Sequence, residues 1–299
     1  MKKISIGSWA YTIGPYAKNP VSWDEVIHKL AEIGFDGVEL GGFPPHPNPD
    51  DMPKKDQRDR CKEQLEDLGL GWSGLAANLW GEHLIDAENA KPYIDTFRKN
   101  LQFCVDLDIP AIRVDAVQPP TIFEKVDPEI ARKRVVDTWT RCAEEAADEG
   151  VRVTWEFEPG FAFNKPSDIL RIVEEVDNEN FGVLFDACHG YMVAVEGARQ
   201  PGKKETLAGG VLELARKLRG KINHVHLIDS DATLHDNETS THAPFGEGKI
   251  DFGALLPELN KNEMGHNWWT IDLCFWPDAW AVTEQCKKEV DKLNQKYGK

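Results

Sequence analysis

Acidic and histidine side chains recur at the ends of short apolar stretches in the second half of the chain. The stretches WEFEPG, LFDACHG, HVHLIDSD and TIDLCF carry Glu156, Glu158, Asp186, His189, His224, His226 and Asp272. Carboxylates held close together raise one another's pKa, and a bound divalent cation removes that conflict. Carboxylates combined with one imidazole suit Mn²⁺, Mg²⁺, Co²⁺ or Zn²⁺. The residue types therefore predict a site for one divalent metal ion, with Mn²⁺ favoured.

Eight β-rich stretches alternate with segments of helical periodicity, and this order predicts the elements that position those residues. The predicted strands are residues 4–11, 36–40, 70–78, 111–116, 151–158, 182–189, 222–229 and 268–275. The clearest helices are residues 22–34, 128–150, 165–177 and 278–298. Without a break in composition, this pattern predicts an α/β protein with one domain, a (β/α)8 TIM barrel over residues 1–299. An open doubly wound sheet is less favoured because the first turn lacks GxGxxG.

Functional residues of such a barrel lie at the carboxyl ends of its strands, so position along the strand ranks the candidates. Side chains alternate along a strand, so Glu156 and Glu158 point the same way, as do His224 and His226. The later residue of each pair lies nearer the mouth of the barrel. Any one of these residues alone is equally well explained as a hydrogen-bonded barrel residue. Together they predict a ligand set that consists of Glu158, Asp186, His226 and Asp272.

A second polar group is predicted one layer below the ligands. Arg113 lies on the strand beside Glu156, and His224 lies two strands further along. Arg113, Glu156 and His224 are expected to orient the ligands from this layer, and a simple ion pair in the core is an equally good interpretation.

Five motifs follow one another along essentially the whole chain: GFDGVELG, EFEPG, FDACHG, HVHLID and PFGEGKIDF. In this order and spacing they resemble the xylose isomerase-like TIM barrels of the sugar phosphate isomerase/epimerase superfamily. The resemblance implies that the ligand set above binds one divalent metal. It also implies that His189 contacts a substrate oxygen and that Glu39 lies at the rim of the substrate pocket. Further candidates for substrate binding are Trp9 and Trp80 as apolar walls and His242 from a long polar loop over residues 230–251.

The function implied by the resemblance is that of a sugar isomerase or epimerase. Such an enzyme acts on a keto or aldo sugar through a metal-stabilised enediolate, with Glu158 moving the proton and Asp272 as its partner. Asp272 is shorter than the glutamate usual there, so a metal-dependent lyase or dehydratase acting on a 3-keto sugar or keto-inositol stays open. Subunits that cleave C-glycosides use the same barrel. A barrel that binds a sugar without turnover is a further alternative.

An apurinic endonuclease-like hydrolase is the alternative favoured least. His189 and His242 match metal positions of that branch, but the third predicted strand has no histidine and Ser240 stands where the branch has aspartate. A formal charge of −16 would also repel a phosphate backbone. We therefore expect no nucleic-acid partner.

The remaining composition is typical of a globular protein, with 41% hydrophobic and 29% charged residues. No stretch reaches the roughly 18 apolar residues of a membrane span, and MKKISIGSWAY lacks the apolar core of a signal peptide. We expect a cytoplasmic protein with no membrane partner and with six unpaired cysteines. The basic segment 197–210, which contains Arg199, could bind a phosphate or carboxylate group, but a solvated loop or a subunit contact is favoured. A homo-oligomer is left open.

Overall fold

Eight parallel strands form a barrel in the computed structural model, which describes residues 1–298. These strands are β1 Lys3–Ile6, β2 Gly37–Gly42, β3 Gly71–Ala77, β4 Ala111–Val114, β5 Arg152–Glu156, β6 Phe181–Asp186, β7 Ile222–Leu227 and β10 Trp268–Ile271. Their order around the barrel is β1-β10-β7-β6-β5-β4-β3-β2. A single parallel bridge between Gly7 and Glu39 joins β1 to β2 and nearly closes the barrel. The predicted TIM barrel is confirmed, whereas its extent over residues 1–299 stays a prediction because Lys299 lies outside the described residues.

Helices cover the outside of the barrel and bury one face against it. They are α1 Trp23–Ile33, α2 Lys55–Asp67, α3 Lys91–Leu107, α4 Pro128–Asp148, α5 Pro166–Val176, α6 Ala187–Tyr191, α7 Gly210–Lys217, α8 Phe252–Leu259 and α9 Ala279–Tyr297. Shorter 3-10 turns span Ser8–Tyr11, Gly14–Tyr16 and Pro120–Glu124, and a π-helical turn spans Met192–Glu196. The helices predicted at residues 22–34, 128–150, 165–177 and 278–298 agree with α1, α4, α5 and α9 to within two residues at each end.

The local sequence explains where α1 begins and ends. Ser22 accepts a hydrogen bond from the Glu25 backbone, and Glu25 reaches back to Ser22, so the two residues form a capping box. Gly34 ends the helix with a φ of 86°, a left-handed conformation that residues with a side chain rarely adopt. Between these ends, Val26, Ile27 and Leu30 are fully buried against the barrel.

Several strands end earlier than the sequence predicts. The strand predicted to reach Glu158 stops at Glu156, and the strand predicted to reach residue 275 stops at Ile271. After Ile271 an apolar stretch continues through Leu273, Cys274 and Phe275 in a loop, and after Glu156 the alternating pattern continues through Phe157 and Glu158 in a loop. The sequence pattern alone therefore overestimates the length of both strands. The difference matters because it places Glu158 beyond the barrel strands.

The polar segment after β7 contains an antiparallel hairpin that stands outside the barrel. It consists of β8 Asp229–His235 and β9 Thr239–Ala243. Asp236 and Asn237 make the tight turn with φ values of 49° and 58°, as hairpin turns require. At its root, the Asp229 carboxylate accepts four backbone N–H groups, from Ser230, Gly246, Gly248 and Ile250. This carboxylate therefore fastens the hairpin to the segment that follows it.

Over residues 1–298, no helix combines the length and the apolar character that crossing a bilayer would require. All six cysteines are unpaired and buried, as expected.

Candidate active site

Four buried side chains from four strands meet at the carboxyl end of the barrel. Glu156 ends β5, Asp186 ends β6, His226 lies on β7, and Asp272 directly follows β10. The His226 Nδ1 atom lies 2.9 Å from Glu156 Oε1, 3.6 Å from Asp272 Oδ2 and 3.9 Å from Asp186 Oδ2. We call these four residues the acidic cluster.

The predicted ligand Glu158 does not belong to the acidic cluster, and Glu156 takes its place. The prediction assumed a strand that continues to Glu158, but β5 ends at Glu156 and the chain then turns through Pro159 and Gly160. Glu158 therefore lies outside the acidic cluster and lines the pocket above it. Asp186, His226 and Asp272 are brought together as the sequence predicts.

Each carboxylate of the acidic cluster has one oxygen held by the protein, and its other oxygen faces the centre of the cluster. Arg113 donates to Glu156 Oε2 at 2.6 Å, and the His189 backbone N–H donates to Asp186 Oδ1 at 2.7 Å. Asp272 Oδ1 accepts the Trp9 indole N–H at 3.1 Å and a backbone N–H at 2.8 Å. The carboxylates are thus oriented by the protein alone.

The atoms that face the centre make no hydrogen bond, and this tests whether the residues fit a metal ion. Glu156 Oε1, Asp186 Oδ2 and His226 Nδ1 are all buried without a hydrogen bond, and the 2.9 Å between Glu156 Oε1 and His226 Nδ1 is an ion-pair contact within the cluster itself. Leaving buried polar atoms unpaired is costly, so native structures rarely do so without a reason. A set of oxygens with one imidazole nitrogen is a ligand set for Mn²⁺, Mg²⁺, Co²⁺ or Zn²⁺. The residues fit a divalent cation.

The charges around His226 support this interpretation. Although burial lowers it, the pKa of His226 is raised well above its usual value by the carboxylates of Glu39 and Glu156. A proton on His226 therefore offsets part of the negative charge. A metal ion would have to displace that proton, since only the deprotonated nitrogen can bind it.

The second ring nitrogen of His226, Nε2, contacts the carboxylate of Glu39 on β2. Both Glu39 carboxylate oxygens lie 3.2 Å from His226 Nε2, and Oε2 also lies 2.6 Å from His224 Nε2. The expectation that Glu39 lies at the rim of the substrate pocket is wrong: it is 1% exposed and lies beneath the acidic cluster, because it points into the barrel from the middle of β2. Glu39 turns His226 so that Nδ1 faces the acidic cluster.

The predicted polar layer of Arg113, Glu156 and His224 is divided in the structure. Arg113 does support Glu156, and its other nitrogen lies 3.4 Å from Asp115. His224 instead supports Glu39, and its Nδ1 lies 3.1 Å from His266 Nε2. Sequence reasoning missed His266, because only the pairing of β10 with β7 brings this residue, two positions before β10, beside His224.

A pocket of about 320 Å³ opens above the acidic cluster. Its polar lining residues include Glu156, Glu158, Asp272, Arg113, His189 and His242, and its aromatic lining residues include Trp9, Phe43, Trp80, Phe161 and Phe275. The structure thus places the sequence candidates His189, His242, Trp9 and Trp80 in this pocket.

The hairpin of β8 and β9 supplies one side of the pocket. Thr239 donates a hydrogen bond to Glu158, and the Ser240 hydroxyl lies 2.8 Å from His189 Nδ1. His242 Nδ1 donates to the Cys274 carbonyl, and its buried Nε2 makes no hydrogen bond but lies 3.7 Å from Asp186 Oδ2. The sequence identified this segment as a polar loop near the site, but it did not identify Thr239 or Ser240 as contacts of site residues.

Two pocket residues carry opposite protonation at neutral pH. Burial away from water, and then repulsion by the Glu156 carboxylate, raise the pKa of Glu158 to about 8, so that Glu158 retains its proton. Despite burial, His242 and His226 hold the pKa of Asp272 below its usual value, so that it is ionised. A neutral acid and a carboxylate in one pocket can act as acid and base.

Arg199 also lines the pocket, at its mouth, where it donates a hydrogen bond to the Asn237 carbonyl at the hairpin turn. The favoured expectation of a solvated loop or a subunit contact did not place Arg199 at the pocket, whereas the alternative, a segment that binds a phosphate or carboxylate group, is compatible with this position. No local signal distinguishes Arg199 from the lysines near it.

Comparison with known proteins gives one family match. The family model of the xylose isomerase-like TIM barrel matches residues 27–292. An uncharacterized protein of Methanocaldococcus jannaschii is 26% identical over 174 residues, which cover 56% of this chain and 52% of that protein. The chain thus spans about half the length of that relative. An inosose dehydratase of Geobacillus thermodenitrificans is 20% identical, over 90% of this chain and 89% of that protein.

Solved structures share the fold over the whole chain. The IOLI protein with a zinc atom superposes with a TM-score of 0.74 at 19% identity, covering 99% of each chain. The D-psicose 3-epimerase of Clostridium cellulolyticum H10, solved with D-tagatose, gives a TM-score of 0.74 at 15% identity and covers 100% of each chain. At these identities the likeness concerns the fold alone.

Proposed function

Because the chain belongs to the xylose isomerase-like TIM barrel family, we propose that it is a divalent-metal-dependent isomerase or epimerase that acts on a keto or aldo sugar. The observation that carries the proposal is the acidic cluster, whose buried Glu156 Oε1, Asp186 Oδ2 and His226 Nδ1 atoms make no hydrogen bond and face one point at the floor of a pocket. A D-psicose 3-epimerase among the structural neighbours supports a sugar as substrate. We further propose Mn²⁺ as the cation. A cytoplasmic location and a homo-oligomer stay predictions from the sequence.

Glu156, Asp186, His226 and Asp272 would hold the cation. The cation would supply polarisation of a substrate carbonyl, which makes the proton on the neighbouring carbon easier to remove. Arg113, Trp9 and the His189 backbone keep the carboxylates in place before substrate arrives. Orientation of this kind avoids the cost of reorganising the site during the reaction.

Asp272 and Glu158 are the residues we assign to proton transfer. Asp272 is ionised and can accept a proton from carbon, and Glu158 carries a proton that it can donate. Thr239 fixes the Glu158 carboxyl group from the hairpin. His189 and His242 reach the same pocket, where they can bind substrate hydroxyl or carbonyl groups.

Dehydration is a second candidate, and the neutral state of Glu158 favours it. If Asp272 removes the proton next to the carbonyl, a carbon–carbon double bond can form as the C–O bond of a neighbouring hydroxyl breaks. The proton of Glu158 would then leave with that hydroxyl as water. Similarity to an inosose dehydratase over 90% of the chain supports this alternative.

Hydrogen exchange in D₂O tests both reactions. Purified protein reconstituted with Mn²⁺ is incubated with keto and aldo sugars and with a keto-inositol, and the products are followed by NMR and mass spectrometry. Deuterium uptake with a rearranged sugar supports isomerisation or epimerisation, whereas loss of water with a new alkene signal supports dehydration.

Asp186→Asn is the matched control, because it removes one proposed ligand and keeps the shape of the side chain. Uptake that continues in this variant, or in the presence of EDTA, would refute metal dependence. If no sugar takes up deuterium although the chain binds metal and sugar, the barrel is a binding protein.

A further inference from the structure

Trp80 stands between the active-site pocket and a second cavity. It is 38% exposed and is one of only three large hydrophobic side chains exposed over residues 1–298. The second cavity has a volume of about 410 Å³ and shares Trp80, Val117 and Pro119 with the active-site pocket. We call this second cavity the Trp80 groove. It continues the pocket outward past the indole ring.

The Trp80 groove differs from the pocket in its chemistry. Its other lining residues are mainly polar: Glu82, His83, Asp86, Gln118, Thr121, Glu124 and Lys125, together with Ile122. An aromatic ring surrounded by carboxylates, an amide and a hydroxyl suits a ligand that has an apolar ring face and hydroxyl groups at its edge. A purely apolar ligand would bury these polar groups without partners.

Hydrogen bonds hold the side chains of one wall of the Trp80 groove in position. The buried Gln118 accepts the Ile85 backbone N–H at 2.7 Å, and its amide donates to Asp86 Oδ1 at 2.7 Å. His83 Nδ1 lies 3.1 Å from the same Asp86 oxygen. Asp86 is thereby oriented through one oxygen, and its other oxygen can accept a ligand hydroxyl.

The indole ring is also held in place. Phe43 packs against Trp80 with ring centroids 5.0 Å apart, so one side of the indole is supported. Val117, which borders both cavities, has a φ of 56°. A β-branched residue rarely adopts this left-handed conformation, and such strain tends to occur at functional sites.

We propose that the substrate carries a second sugar ring, which stacks on Trp80 and binds its hydroxyl groups in the Trp80 groove. The first ring reaches the acidic cluster, and that part of the inference rests on the proposed function. The substrate class is then a disaccharide or a larger glycoside whose second unit is a sugar.

Calorimetric titration of the full chain loaded with Mn²⁺ tests the proposal. The probes are glucose and the eight glucose disaccharides that differ only in the position and anomer of a linkage to a reducing glucose. At least one disaccharide should bind about tenfold more tightly than glucose, which is the gain expected for one stacked ring and one or two hydrogen bonds. If no disaccharide gains affinity over glucose, the proposal is overturned.

Substitutions test whether the gain in disaccharide affinity arises in the Trp80 groove. Trp80→Ala and Asp86→Ala should each reduce the ratio of disaccharide to glucose affinity to near one, whereas Trp80→Phe should retain most of it. Trp276→Phe, which lies outside both cavities, is the control and should keep the ratio. Equal loss of glucose and disaccharide binding in Trp80→Ala would show that Trp80 serves the first ring alone, and this too overturns the proposal.

The binding test is independent of turnover. Disaccharide binding that depends on Trp80 and Asp86, without deuterium exchange into any sugar, would leave this inference standing and refute the proposed enzyme function. Deuterium exchange into a monosaccharide, without an advantage for any disaccharide, would do the reverse.

Discussion

Replacing Glu156 and Glu158 separately by glutamine decides which of them binds the metal. Glu156 Oε1 lies 2.9 Å from His226 Nδ1 in the acidic cluster, whereas Glu158 lies outside that cluster. Glu156→Gln keeps the shape of the side chain but removes one of three carboxylate charges. Loss of residues that merely support ligands typically costs 10–100-fold in affinity, so loss of a ligand should cost at least about 100-fold, or about 2.7 kcal/mol. Glu158→Gln should cost less than about fivefold, because Glu158 lies outside the acidic cluster and is neutral at neutral pH.

The assay is a competition titration of Mn²⁺ or Zn²⁺ against a chelating dye, with metal content per chain measured by plasma mass spectrometry. Glu238→Gln, at the mouth of the pocket, serves as a control for a lost charge that lies outside the acidic cluster. Thermal unfolding verifies that Glu156→Gln still folds, because the substitution also removes one of the two carboxylates that pair with Arg113. If Glu158→Gln lost the metal while Glu156→Gln retained it, the assignment drawn from the structure would be wrong.

Three further predictions concern residues around the acidic cluster. Glu39→Gln should weaken metal binding by about 10–100-fold in the same titration, because His226 loses the carboxylate that orients it; unchanged affinity would contradict this role. Gly248→Ala should lower the free energy of unfolding by about 1–3 kcal/mol in urea, since its Cβ would lie 2.3 Å from Asp229 Oδ1. Gly81→Ala, whose Cβ meets no atom within 4 Å, is the matched control and should change stability by less than about 0.5 kcal/mol. Finally, deuterium exchange should decline as the pH rises through about 8, because Glu158, with its pKa raised from 4.5, then loses the proton it donates; a decline that persists in Glu158→Gln would exclude this residue as its cause.

The order of strands and helices was predictable because it depends on local periodicity. Strands repeat every two residues and helices every 3.6, and the chain alternates between these patterns from end to end. Asp186 and Asp272 were predictable for a related reason, since each is the one acidic residue of an apolar stretch that the periodicity predicts as a strand. The boundaries were less predictable, because loop residues that pack against the barrel are as apolar as the strands.

The choice between Glu156 and Glu158 was not decidable from the sequence. Alternation shows that both point the same way, but their height in the barrel depends on where β5 ends and on how neighbouring strands are staggered. The structure pairs Asp186 with His226 but Glu156 with Leu184, two residues further down β6, so register alone would place Glu158 level with His226. Instead β5 ends at Glu156, and the Glu156 side chain reaches up to the cluster, with Oε1 2.9 Å from His226 Nδ1. The prediction for Glu39 was wrong for a similar reason, since its depth in the barrel could not be derived from the sequence.

The division of the site between barrel and hairpin suggests how its chemistry is determined. The floor consists of barrel residues, and Glu39 and His224 fix His226 there from below. The groups that would decide the fate of the substrate lie higher, where the hairpin holds Glu158 through Thr239. Isomerisation and dehydration share the removal of a proton next to a carbonyl and differ in where the next proton goes. Substitutions in the hairpin should therefore alter the balance between these reactions while the floor still binds its metal.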